Sequence, residues 1–409
     1  MSIKPFLTVQ NRWVVLVSAT VGMMLIGLYQ YSWTIFSMPL QQGLNSTIVE
    51  IQLTFTIFTW VSTSTQPIAG YAVDRRGPLL FSVFGGILTG FGWVASSFVK
   101  TTEVLYLSYG IGSIGVGIIY VIAAGIATHW FPDRRGLATG IVVFGFGFGA
   151  VFFNPIISWI VATSGYRLAF LYMGIIILVA LVILGFLSQY PPLDWQPKQD
   201  SSRTTSNLEK LDCQFTTREM IKSHQWWLLY IAFILTANTG LMVTAQLTYM
   251  GKFFKITVET VILATAVFPF TNGIGRIVGG LISDKIGRER AMAIYFTLQG
   301  ILSILLILFG STEAIFVTII ALIGFLWGPT FTFFPAIIAD YYGKRNYTVN
   351  YGLTYTAKGW GGLLGGYVAA LLITVYGGFT APVLASAVFN FIGVLLVFPK
   401  VLRKPKAKS

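Results

Sequence analysis

Twelve stretches of this chain are apolar over about twenty residues or more, and short polar connections separate them. They fall at about 13–38, 48–72, 79–98, 104–129, 137–162, 168–189, 226–250, 257–282, 291–310, 314–339, 350–375 and 380–399. Each is long enough to cross a hydrocarbon core about 30 Å thick. Lipid offers no partner for backbone N–H and C=O groups, so each is expected as a helix. The only long connection, 190–225, is polar and carries Asp194, Lys198, Asp200, Arg203, Glu209, Lys210, Asp212, Arg218, Glu219 and Lys222. It divides the spans six and six. The pattern predicts an all-α membrane protein: a six-helix bundle over 1–189, a cytoplasmic linker over 190–225 and a second six-helix bundle over 226–409.

Composition agrees. Of the 409 residues, 55% are hydrophobic and 10% charged, against roughly 25% charged in a soluble domain. Most of the surface is therefore expected to face lipid. A single cysteine, Cys213, excludes an internal disulfide and a multi-cysteine metal site. The two histidines, His129 and His224, sit near the ends of apolar runs, so no buried histidine cluster is expected. No phosphate-cradling loop, zinc-spaced set or Ser/His/Asp constellation is visible. Neither catalysis nor a cofactor or metal is expected. Lys4 and Arg12 precede a first apolar run that is too long for a cleavable signal, whose apolar region spans roughly 7–15 residues.

Charge placement predicts orientation. With the N-terminus inside, the cytoplasmic segments hold 21 of the 27 Lys and Arg, and the external connections hold four: Lys100, Arg167, Lys252 and Lys255. This asymmetry predicts a multi-pass protein of the cytoplasmic (inner) membrane with both termini cytoplasmic. It also accounts for the net charge of +13 without nucleic acid. The Lys-rich end, Lys400 to Lys408, reads as an anchor near anionic lipid.

The halves repeat. Gly70-Tyr71-Ala72-Val73-Asp74-Arg75-Arg76-Gly77 follows the second span, and Gly280-Leu281-Ile282-Ser283-Asp284-Lys285-Ile286-Gly287-Arg288 follows the eighth. Arg134-Arg135 after the fourth span and Lys344-Arg345 after the tenth share the same offset of 210 positions. Such halves imply a pseudo-two-fold carrier with its site between the bundles. The Gly-Asp-basic turns allow close helix approach and hydrogen bonds that form and break as the halves rock. Gly70, Asp74, Arg75, Arg134, Arg135, Gly280, Asp284, Lys285 and Arg345 are the candidate switch positions.

Two cations, Arg276 and Lys358, lie inside apolar runs, while all 14 Asp and Glu fall at run ends or in connections. A charge at bilayer depth costs at least about 2.5–3.5 kcal/mol on insertion scales. Buried cations with no buried protein anion imply that the partner arrives from outside, as a small anion. Arg suits a carboxylate because its fork donates two parallel hydrogen bonds, and Lys adds a compact charge. The alternative is that both side chains snorkel to the interface and serve topology alone. The positions 210 residues earlier, Gln66 and Phe148, are neutral, so the second half supplies the charge. Tyr31 and Tyr120 read equally as hydroxyl donors or as packing. Trp327 stands beside Gly328-Pro329, where the tenth helix is expected to loosen. Glycines cluster in spans 4, 5, 8 and 11 and permit close helix contact.

No acid is placed as an intramembrane proton relay, which disfavours carboxylate-driven proton symport, Na⁺ coupling and cationic cargo. Closing low-dielectric walls around two uncompensated cations is costly, and a bound dianion removes that cost. Exchange is therefore the expected mode.

The signature turns, together with Gln30-Tyr31-Ser32-Trp33, Gly115 to Tyr120, Trp130 to Gly136 and Asn346 to Lys358, resemble the major facilitator superfamily. Within it they are similar to the oxalate:formate antiporter family, which is related to the monocarboxylate transporters. The resemblance covers essentially the whole chain. It implies that Arg276 and Lys358 bind the two carboxylates of a dianion, with substrate-facing roles for Gln30, Tyr31, Tyr120 and Trp327. Two positions depart from the oxalate carrier: Phe331 replaces a Tyr, and Tyr355 replaces a Trp. Oxalate, a longer dicarboxylate, or a monocarboxylate exchanged against one stay open as cargo. Two alternatives also stay open: a monocarboxylate carrier, proton-coupled through Lys358, and a carboxylate sensor built on a carrier fold. A monomer is expected.

Overall fold

The computed structural model describes residues 11–132, 134–192, 214–343 and 346–405. Ten of its helices are long and apolar enough to cross a membrane. The helix Arg135–Leu187 counts as two of the expected spans, because Gly165, at φ +82°, turns the chain within it. The helix Ile48–Arg76 supplies a further crossing that is less apolar. The result is twelve spans, numbered here in chain order, in two six-helix bundles.

Span 1 is built from Arg12–Tyr31 and Trp33–Gly43, span 2 from Ile48–Arg76, span 3 from Pro78–Ser96 and span 4 from Thr102–Trp130. Spans 5 and 6 share Arg135–Leu187. A short helix, Thr217–Lys222, precedes span 7, His224–Phe253. Spans 8 and 9 are Val258–Ile286 and Arg288–Phe309. Span 10 is Glu313–Trp327 plus Thr330–Tyr342, span 11 runs from Tyr347 to Tyr376 in pieces, and span 12 is Thr380–Val397. The sequence boundaries hold to within a few residues. Residues 193–213 of the expected linker lie outside the described residues.

The pseudo-repeat extends to backbone conformation. Among the described residues only Asn45 (φ 49°) and Lys255 (φ 59°) are non-glycines with positive φ, and they are 210 positions apart. Gly77 (φ 83°) and Gly287 (φ 93°) share that offset and end spans 2 and 8. A side chain at either glycine would be strained. An even number of crossings places Asp74, Asp284 and both described chain ends at one end of the bundle, with Asn45 and Lys255 at the other.

At the Asp74 end, Asp74, Arg75 and Lys285 are exposed and Gly70 is buried, while Gly280 is half-buried. Arg75 lies over the Tyr71 ring at 4.2 Å. In the second half Asp284 pairs with Arg288, four residues on, rather than with Lys285. Arg288 also reaches Asp340 at 3.2 Å and donates to the Ser283 hydroxyl. This ties span 10 to the turn between spans 8 and 9. Arg134 precedes span 5, which begins at Arg135. Arg345 lies outside the described residues.

The halves meet along glycine seams. Gly359, Gly362 and Gly366 of span 11 face Thr63, Thr59 and Thr56 of span 2, so the helices approach more closely than larger residues would allow. At the Asn45 end the halves are also hydrogen-bonded. Thr248 N–H donates to the Thr34 hydroxyl, and the Thr248 hydroxyl donates to the Thr34 carbonyl, both at 2.8 Å. Tyr249 donates to Gln41 at 2.8 Å, and Gln52 donates to the Ala245 carbonyl at 3.0 Å.

Candidate functional site

The candidate residues sit where helices are interrupted. Span 1 breaks at Ser32, immediately after Gln30 and Tyr31. There Asn154 of span 5 donates to the Tyr31 carbonyl and to the Thr265 carbonyl of span 8, each at 3.1 Å, and accepts from Ser32 at 2.6 Å. Span 10 breaks at Gly328-Pro329, between Trp327 and Phe331. Proline lacks the N–H that would continue the ladder, so this interruption was legible in sequence. Span 11 breaks at Thr356, between Tyr355 and Lys358, and widens into a π-helical turn over Leu364–Val368. Gln246 of span 7 donates to the Gly365 and Gly366 carbonyls in that turn, at 3.2 and 3.1 Å. Irregular backbone at bilayer depth is tolerated only inside protein or along a cavity. Here one side-chain amide, Asn154, holds the break in span 1, and another, Gln246, holds the π-helical turn of span 11.

The breaks bring the two cations together. Arg276 is 7% exposed and Lys358 5%, so neither head snorkels to an interface. Arg276 lies 4.9 Å from the centroid of Phe331, and Lys358 lies 5.5 Å from the same centroid. Lys358 is also 5.6 Å from Phe146 and 5.7 Å from Tyr355. Aromatic faces attract cations through their quadrupole, most strongly when desolvated. The partners of both cations are neutral. Lys358 donates to the Gln30 amide oxygen at 2.8 Å, and Arg276 Nε donates to the Asn272 amide oxygen at 3.2 Å. Nη1 of Arg276 is buried with no hydrogen-bond partner among the described residues.

The remaining candidates pack around the two cations. Tyr31 donates to the Asn272 oxygen at 3.3 Å, next to Arg276. The Tyr120 ring lies between Phe146 (5.5 Å) and Tyr355 (6.1 Å). Trp327 is fully buried, stacks on Phe268 at 5.8 Å and meets Phe331 edge-on at 4.9 Å. Gly240 lies directly beneath its ring, and the indole N–H has no partner among the described residues. Tyr355 meets Phe331 at 6.3 Å. The structure thus brings together all eight sequence candidates: Gln30, Tyr31, Tyr120, Arg276, Trp327, Phe331, Tyr355 and Lys358. Sequence reasoning missed Asn272, Phe146 and Asn154. Asn272 had a signal, since it is polar, inside an apolar run and one helical turn from Arg276. Phe146 is one of several aromatics in a Gly/Phe-rich stretch and had none.

No metal-binding group of His, Cys, Asp and Glu occurs among the described residues. A cage of two cations, aromatic walls and amide oxygens is suited to holding a small anion with oxygen acceptors.

Comparison with known proteins fits this geometry. The model of the Major Facilitator Superfamily matches residues 15–244 and 227–409. The chain belongs to the Major Facilitator Superfamily. It is not an enzyme but a transporter of that family. It is 32% identical over 403 residues to the oxalate:formate antiporter of Oxalobacter formigenes, covering 97% of this chain and 94% of that one. It is 24% identical over 361 residues to monocarboxylate transporter 12 of Xenopus laevis, covering 83% and 78%. Among solved structures, it superposes on a bacterial homologue of the human lysosomal transporter Spinster, in an inward-facing and unoccupied conformation. The TM-score is 0.67 at 18% identity, over 95% of this chain and 96% of that one, which shows the shared fold.

Proposed function

We propose that this superfamily member exchanges small carboxylate anions across the membrane by alternating access, in the manner of oxalate:formate antiport. The observation that carries the reading is the pair Arg276 and Lys358, buried over one phenyl ring and held only by neutral oxygens among the described residues. A carboxylate supplies the missing negative charge and accepts from Nη1 of Arg276, which has no partner among the described residues. Similarity to the oxalate:formate antiporter supports the same cargo class. Gln30, Tyr31, Tyr120, Trp327, Phe331 and Tyr355 form the wall that sets cargo size.

The excess of Lys and Arg at the Asp74 end supports an orientation in the inner membrane with that end on the cytoplasmic side. The turns carrying Asp74 and Asp284 act as hinges that make and break contacts as the bundles rock, around a domain division at residues 190–225. Exchange follows from electrostatics: closing the site over two uncompensated cations is costly, and a bound anion offsets that cost. Vesicles reconstituted with the protein and preloaded with dicarboxylate should take up labelled dicarboxylate much faster than unloaded vesicles. Equal rates would refute exchange. Uphill uptake driven by an imposed pH gradient would replace it with proton-coupled monocarboxylate transport. Binding without flux would make the protein a sensor.

A further inference from the structure

Asn272 occupies the position where a counter-ion for Arg276 would sit. It lies one helical turn before Arg276, and its oxygen accepts from both Arg276 Nε (3.2 Å) and the Tyr31 hydroxyl (3.3 Å). Its NH₂ group points the other way, 3.5 Å from the Gly324 carbonyl of span 10, so the amide orientation matches the donors and acceptors around it. Asn272 is 1% exposed, and its backbone packs directly against Gly328, at the break in span 10. Gln30 has the corresponding relation to Lys358: one amide oxygen, 2.8 Å away and 1% exposed. Each cation is therefore steered by an oxygen that leaves its charge intact. A carboxylate of the same shape fits either position and would form an ion pair with its cation.

We infer that Asn272 is the positioning residue that couples the two directions of transport, because its amide orients Arg276 without neutralising it. Gln30 has the same task at Lys358. This inference rests on the carboxylate-exchange reading above. While both cations stay uncompensated, the site closes readily only over an anion. An internal carboxylate at position 272 cancels one charge. The carrier then reorients without cargo, and the dianion loses a binding partner.

The test compares uptake of labelled dicarboxylate into preloaded and unloaded vesicles for wild type, N272D and N272A. Wild type should show a ratio of about tenfold or more. In N272D the ratio should fall to within about twofold, with dicarboxylate affinity reduced about tenfold. N272A removes the oxygen but adds no charge, so it should keep the exchange ratio at weaker affinity. A folded N272D with the wild-type ratio overturns the inference. So does an N272A that loses the ratio as completely as N272D, since the oxygen would then be merely structural. If N272D does not fold, Q30E makes the same test at Lys358, and an unchanged ratio there overturns the inference equally. A wild type without exchange overturns the exchange reading as well, and the wild-type arm alone reveals it.

Discussion

Lys358 of span 11 donates to Gln30 of span 1 at 2.8 Å, a hydrogen bond that joins the two halves within the candidate site. The ammonium is buried and lies over the ring faces of Phe146, Phe331 and Tyr355. Removing the amide strands a charged donor, a loss of about 1.5–3 kcal/mol for a hydrogen bond to a charged group. Q30A is expected to melt at lower temperature than wild type. Added dicarboxylate should raise its melting temperature by more than it raises that of wild type, because the ligand supplies the missing acceptor. A thermal shift series in detergent checks both effects.

Phe331 carries both cations on one ring. Leucine at this position keeps bulk but removes the quadrupole, worth about 0.5–2 kcal/mol for each cation. F331L should retain the fold and lose dicarboxylate exchange by about tenfold or more. Initial rates in preloaded vesicles give the comparison.

Much of this was legible from residue order. Twelve apolar runs, the 210-residue offset of the Asp74 and Asp284 turns, and two stranded cations led to the bundle and to the heart of the site. The break at Gly328-Pro329 was legible because proline removes a donor. The breaks at Ser32 and Thr356 were not, because no proline or positive-φ glycine marks them. They depend on tertiary partners such as Asn154, far away in sequence. Asn272 is a similar case: its residue type and spacing were visible, but its link to Tyr31 across the halves appears only in three dimensions.

The Thr34–Thr248 contact fastens the Asn45 end. Valine at either position preserves shape and removes hydroxyl bonds worth about 1 kcal/mol each. T34V should shift the population toward forms open at that end. The readout is labelling of a cysteine placed at position 41, in a background lacking Cys213, by an impermeant maleimide added outside. Labelling should accelerate about fivefold. An unchanged rate would mean that the contact does not hold this end shut.

Gly240 lies beneath the Trp327 ring with no room for a methyl group. G240A forces the indole to move, and overpacking of this kind costs about 1–3 kcal/mol. The variant should melt several degrees lower, and its exchange rate should fall because Trp327 meets Phe331 edge-on. A melting curve and a flux measurement on the same preparation check the two effects together.

On the proposed reading, Arg276 and Lys358 jointly grip one carboxylate-bearing anion. The most direct measurement is isothermal titration of purified wild type and K358Q with a small dicarboxylate and with its monocarboxylate counterpart. Wild type should prefer the dianion, and K358Q should lose about tenfold or more in dianion affinity while the monoanion, still held by Arg276, changes little. Equal losses for both anions, or no loss for either, would contradict it.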